Sequence, residues 1–230
     1  MNQEEFANFS SFLQDTASII NNPALRLKAY SEFSQVYDYL EAHQWTIEDL
    51  KERHSYHETA AFQNIAEGYY RLGFIEAVFY QYAKLIYELW FNKVIEFQNA
   101  HNQRIHKGTQ VHQIAEIYST QHKRIKAWDY YLAAFAEDVI DGRDYIESQA
   151  YRALRSQSLS KNNLVLYAES IGKLRGKAKY NPLQIVEVSK KNYLIPSYED
   201  NESVDRLKLN KAQEVWEKLT DKEKEESQNE

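Results

Sequence analysis

The chain has 230 residues, enough for one large domain or a domain with an appendage. It contains no cysteine, which excludes disulfides, zinc–thiolate sites and a thiol nucleophile, and its net charge of -6 disfavours a surface that binds nucleic acid throughout. Only 6 Gly and 3 Pro leave few places for sharp turns, so long helices are expected, and 18 Tyr, 10 Phe and 4 Trp predict a core rich in rings.

Over residues 3–20, Phe6, Phe9, Leu13, Ile19 and Ile20 recur at helical spacing. The start, MNQEEFANF, is acidic where a secretory signal is basic and then apolar, so a cytoplasmic location is expected. Asn21-Asn22-Pro23 ends this helix and begins a second, to about Ala42, whose apolar positions are Leu27, Tyr30, Phe33, Tyr37 and Leu40. Thr46 followed by Ile47-Glu48-Asp49 has the pattern of a capping box. Phe62, Ile65, Ala66 and Tyr69 share one face of the next helix, which Gly73 breaks. Phe74 to about Ala100 is the most apolar stretch. Lys84, Glu88, Lys93 and Glu96 are too many charges for a bilayer centre, so it is expected to be a central soluble helix of about 40 Å at 1.5 Å per residue.

Residues 105–141 then read as a helical hairpin. Thr109 is the expected N-cap of its first helix, the turn falls near 121–124, and Asp141-Gly142 ends its second helix. In that second helix Ile125, Trp128, Leu132, Phe135 and Val139 form one stripe, with Ala127, Tyr131 and Ala134 beside it. Residues 143–156 and 160–175 predict a second, less regular hairpin. Residues 183–196 fit two forms: a helix capped by Asn181-Pro182, or a small β-hairpin around Lys190-Lys191-Asn192. An acidic linker follows, and then a strongly charged terminal helix carrying Leu207, Val215, Trp216 and Leu219.

The spacing Val111-x2-Ile114-Ala115-x2-Tyr118 followed by Ala127-x3-Tyr131-x2-Ala134 resembles the tetratricopeptide repeat (TPR). A poorer copy runs from Phe62 through Ile65, Ala66 and Tyr69 to Gly73. The pattern departs from the family in having Val111 at the first position and no closing proline. The resemblance, over about residues 57–140, implies TPR-like antiparallel hairpins and a scaffold that binds protein or peptide.

Arg104, His106, Lys107, Thr109 and His112 cluster where the 105–141 hairpin begins. An antiparallel return places position 107 opposite about 138, beside Glu137, Asp138 and Asp141. Acids at a helix C-terminus oppose the macrodipole by about 0.3–1 kcal/mol each, so cations must offset them. Arg104, Lys107 and Arg143 do so if the cluster is structural. The other reading is an acid–base or anion-binding site, with His106 or His112 titrating near neutrality and Lys107 as a fixed charge. Helical HEPN-type ribonucleases resemble this arrangement in carrying an Arg and a His near a helix start. Seven residues separate Arg104 from His112, one more than that family's usual maximum. That resemblance implies a catalytic set of Arg104, His106 and His112, held by Glu137 and Asp138.

His54 and His57, with Glu58, lie one turn apart and could bind a metal from one helix face, but two histidines without a third placed ligand assign no metal site. No HExxH, phosphate-binding glycine loop, dinucleotide fingerprint or GxSxG is present, so no cofactor is expected. Lys173, Arg175, Lys177 and Lys179 mark a basic tract suited to phosphate contact or to a solvated loop.

The expected fold is therefore mostly all-α: a helical-hairpin domain over 1–176, an irregular appendage and acidic linker over 177–205, and a charged helix over 206–230. The expected function is a scaffold for a protein or peptide partner, with Arg104, Lys107, Thr109, Tyr69 and Tyr118 as binding candidates; whether the chain is an enzyme is left open. Self-association through the terminal helix is an option, the ribonuclease is the alternative, and no membrane is involved.

Overall fold

In the computed structural model, residues 1–51, 61–175, 180–195, 198, 212 and 214–218 are described. All the regular structure among them is helical, in twelve α-helices with two short 3-10 turns and no strand. None of these helices is long and apolar enough to cross a membrane. The chain divides into two units, Met1–Val94 and Ile95–Glu230, with the boundary inside a helix.

In the first unit, α1 (Gln3–Gln14) starts with an Asn2–Glu5 capping box. The single helix expected over 3–20 is interrupted because the Asp15 side chain accepts from Ser18 N and starts a new helix, α2 (Thr16–Asn21). Asn22 caps α3 (Pro23–Ser31), with Pro23 in the first turn as expected. Glu32 separates α3 from α4 (Phe33–Ala42), so the second expected helix is also two. Leu27 and Tyr30 lie outside the core, 66% and 50% exposed. Thr46 and Asp49 form the expected capping box of α5 (Ile47–Leu50).

α6 (Ala61–Leu72) packs closely on α1. Gly68 permits the approach, since a Cβ there would sit 2.9 Å from both the Cβ and the carbonyl oxygen of Leu13. Gly73 ends α6, and α7 runs from Val78 to His101. Rings fill this core. Phe33 stacks on Tyr82 at 3.7 Å, Tyr69 stacks on Phe79 at 5.9 Å, and the Tyr69 hydroxyl donates to the Ala29 carbonyl at 2.8 Å.

The second unit is built around α9 (Arg124–Asp141), which packs on α8 (Gly108–Thr120), α10 (Gln149–Ser156), α11 (Lys161–Ile171) and α12 (Pro182–Lys191). That is four neighbours where two stripes predicted two. Ala115, Ala127 and Ala134 are all buried, as close helix packing requires, whereas Ile125 is 52% exposed. α9 ends at Gly142 in the left-handed region (φ 79°), with Arg143 N donating to Asp138 O at 3.0 Å.

Residues 182–191 form a helix and not the β-hairpin entertained for 183–196. Asn181 caps Leu183 N at 2.9 Å, Pro182 fits the first turn, and Ile185, Val186 and Ser189 recur on one buried face. Residues 214–218 are helical, and Trp216 is buried against α11 of the same chain, its indole N–H donating to Ser170 O at 3.1 Å. The acidic linker at 199–205, Leu207 and Leu219 lie outside the described residues.

Candidate functional site

The antiparallel return of α9 along α8 brings together two ends that are each unfavourable alone. Lys107 occupies the N-cap of α8, where the helix dipole repels a cation. Glu137 lies in the last turns of α9, where it repels an anion. Pairing cancels both effects, and position 107 meets 137, one residue from the expected register. Lys107 Nζ lies 3.2 Å from Glu137 Oε2, and both side chains are fully buried.

The remaining donors of the ammonium go to Gln98 Oε1 and Ile105 O, each at 2.8 Å, so all three N–H groups have acceptors. Burial pulls the Lys107 pKa below 10.5, with Arg104 adding to the effect and Glu137 opposing it. Glu137 Oε2 also accepts from Lys107 N at 3.1 Å and from Arg104 Nη2 at 2.9 Å. Arg104 Nη2 further donates to Glu137 O at 3.2 Å, and Arg175 Nε donates to Val139 O at 3.1 Å. Both arginines thus serve carbonyls in the last turn of α9, where acceptors outnumber donors.

His106 lies at the edge of this network. Its Nε2 is 3.5 Å from Asp138 Oδ1 and its Nδ1 is 3.6 Å from Asp141 Oδ2. Gly108 makes room for the ring, because a Cβ there would be 2.6 Å from His106 Nε2 and 3.0 Å from Asp138 Oδ1. Burial raises the Asp141 pKa, but the Arg143 hydrogen bond and the charges of His106, Arg104 and Arg143 outweigh it, leaving the carboxyl below its usual 3.8.

His112 belongs to a different set. Its Nε2 is 3.5 Å from Glu116 Oε1, which accepts from the Tyr131 hydroxyl at 2.7 Å, and its ring lies 5.5 Å from that of Tyr131. Burial lowers the His112 pKa below 6.5 against the pull of Glu116, so the ring is neutral at pH 7. Among the described residues no hydrogen bond or ion pair joins Arg104 to His112.

Several candidates sit differently from expectation. Thr109 is exposed and is not the N-cap of α8; Lys107 holds that position, and its backbone N–H donates to Glu137 Oε2 across the hairpin. Tyr69 is fully buried and offers no surface. Tyr118 is 7% exposed but forms part of a shallow groove between α9 and α12, of about 360 Å³, with Lys126, Asp129, Tyr130, Leu183, Val186, Glu187 and Lys190.

Gln98 was not anticipated. It is an amide four residues after the buried Val94 on α7, and a lone buried polar group on an apolar face is the signal that marks it. His54, His57, Glu58, Lys177 and Lys179 lie outside the described residues. Among the described residues no three His, Asp or Glu side chains converge as metal ligands. Comparison with protein families, curated proteins and solved structures finds no match.

Proposed function

We propose that the protein is a helical interaction scaffold that binds a protein or peptide partner, the function implied by its TPR-like hairpin. The observation that carries this reading is the closure of the charged cluster. Lys107 is fully buried with three acceptors on its ammonium, and Arg104 is bound to Glu137, so these groups brace the α8–α9 hairpin. One surface available for recognition is the α9–α12 groove, where Tyr118 and Tyr130 supply rigid rings at small entropic cost.

The test is affinity purification from the native cell, with the wild type beside a Tyr118→Ala/Tyr130→Ala variant of matched helical content. A partner retained by the wild type and lost by the variant supports the scaffold. Equal recovery by both overturns the assignment of this groove.

One observation favours a second reading, a HEPN-like ribonuclease: His112 is held neutral, as a general base must be, and its Nδ1 has no hydrogen-bond partner among the described residues. Incubation with labelled RNA decides it. Cleavage by the wild type that His112→Ala abolishes at unchanged melting temperature replaces the scaffold with an enzyme. Intact RNA with both proteins removes the ribonuclease.

A further inference from the structure

We propose that the α9–α12 groove recognises an acidic peptide segment with an apolar anchor residue, an inference that rests on the scaffold reading and names its partner class. The floor sets the anchor. Leu183 and Val186 from α12 line the groove together with the rings of Tyr118 and Tyr130, whose centroids lie 5.3 Å apart, and the groove of about 360 Å³ suits one large apolar side chain.

The rim sets the charge. Lys126 Nζ lies 5.6 Å and Lys123 Nζ 5.9 Å from the Tyr118 ring centroid. Both lysines are exposed, as is the neighbouring Arg124, and none of the three forms an ion pair with a described residue. Lys190, by contrast, is matched by Asp129 at 2.7 Å, leaving Glu187 as the one unmatched acid lining the groove. The edge is therefore locally positive on a chain whose net charge is -6.

Position adds to this. Lys123, Arg124 and Lys126 stand at the start of an 18-residue helix with no side-chain cap, where the dipole repels cations. Without an anion that arrangement is unfavourable; carboxylates of a bound segment relieve it. A nucleic acid suits the groove less well, because the aliphatic side chains of Leu183 and Val186 offer a base no hydrogen-bond partner.

The experiment uses the full chain and arrayed synthetic peptides. One set carries Asp and Glu around a central Leu, Phe or Tyr, and matched sets carry Lys and Arg, or Ser and Gln, in place of the acids. The tightest binder, with an RNA oligonucleotide of mixed sequence alongside, is then titrated by fluorescence anisotropy. The expected result is preference for the acidic set and weakening with salt. Affinity should also fall about tenfold in Lys123→Glu/Lys126→Glu at unchanged helical content.

Preference for the neutral or basic set, still lost in Tyr130→Ala, overturns the acidic partner and leaves the scaffold standing. So does a partner that depends on the tyrosines in affinity purification when no acidic peptide binds. RNA binding that the same lysine substitutions abolish overturns the acidic peptide in favour of nucleic acid. No peptide binding, together with equal recovery by wild type and tyrosine variant, removes both the partner class and the groove.

Discussion

Glu137→Gln keeps the side-chain shape and removes the carboxylate that lies 3.2 Å from Lys107 Nζ and 2.9 Å from Arg104 Nη2. Arg104, 13% exposed, then keeps the Asp141 carboxylate at 3.8 Å from its Nε, whereas the fully buried Lys107 keeps direct contact only with neutral acceptors such as Gln98 and Ile105. Breaking a buried ion pair on one side costs about 3–5 kcal/mol; the two neutral acceptors place this case near about 3 kcal/mol. Against a typical stability of about 5–15 kcal/mol, that is a large fraction. Urea unfolding followed by far-ultraviolet circular dichroism should show the midpoint falling by about 1 M or more.

The pH dependence is specific. Burial already holds the Lys107 pKa below 10.5, and loss of Glu137, which pulls it upward, lowers it further. The folded variant then binds fewer protons than its unfolded chain, so its stability rises with pH up to the unfolded lysine value. The deficit relative to wild type should therefore shrink toward pH 10. Adding Lys107→Met should recover part of the loss even at neutral pH, since one uncompensated cation goes. A Glu137→Gln deficit below about 1 kcal/mol, or one that does not vary with pH, would refute the account of this pair as a charged, desolvated brace.

Gly68→Ala should destabilise the first unit by about 1–3 kcal/mol, because the new methyl meets Leu13 backbone that has nowhere to move; thermal unfolding beside Gly172→Ala, where the added Cβ meets nothing within 4 Å, is the comparison. His112 binds its proton less readily when folded, so acidification below 6.5 should lower stability as the unfolded chain takes up a proton that the folded ring refuses. In His112→Gln that part of the slope should vanish, and an identical slope in both proteins would count against the buried ring. Trp216→Ala should loosen the 214–218 segment and speed amide exchange along α11, whose Ser170 carbonyl it caps, while exchange in α1 and α6 stays unchanged.

The hairpin was legible because its determinants are local: small residues at 115, 127 and 134, a glycine at 142 and a turn of fixed length. The 107-to-137 approach followed from counting residues back from that turn. What was not legible depends on partners distant in sequence. Thr109 has the chemistry of an N-cap, but the helix begins two positions earlier, where Lys107 N donates to Glu137 Oε2, and that bond exists only once the hairpin has formed. Gln98 reads as one more polar residue on a long helix until Lys107 and Ile105 reach it. Leu27, Tyr30 and Ile125 fit an inward stripe by periodicity alone, yet each is exposed, since periodicity does not say how much of a helix its neighbours cover. At 182–191 a β-branched run was balanced against a capped helix, and the cap with its Ile185–Ser189 repeat decided the outcome.

The placement of the ionic brace also bears on the order in which the hairpin assembles. Contacts near the turn, such as Lys123 N to Tyr118 O at 2.9 Å, close short loops, whereas Lys107 and Glu137 are 30 residues apart. Closing the longer loop costs more chain entropy, so zippering begins at the turn and the charged groups lose their water late. Substitutions in the brace should therefore accelerate unfolding far more than they slow folding. Lys107 and Glu137 thus act chiefly as a latch on the lifetime of the folded hairpin.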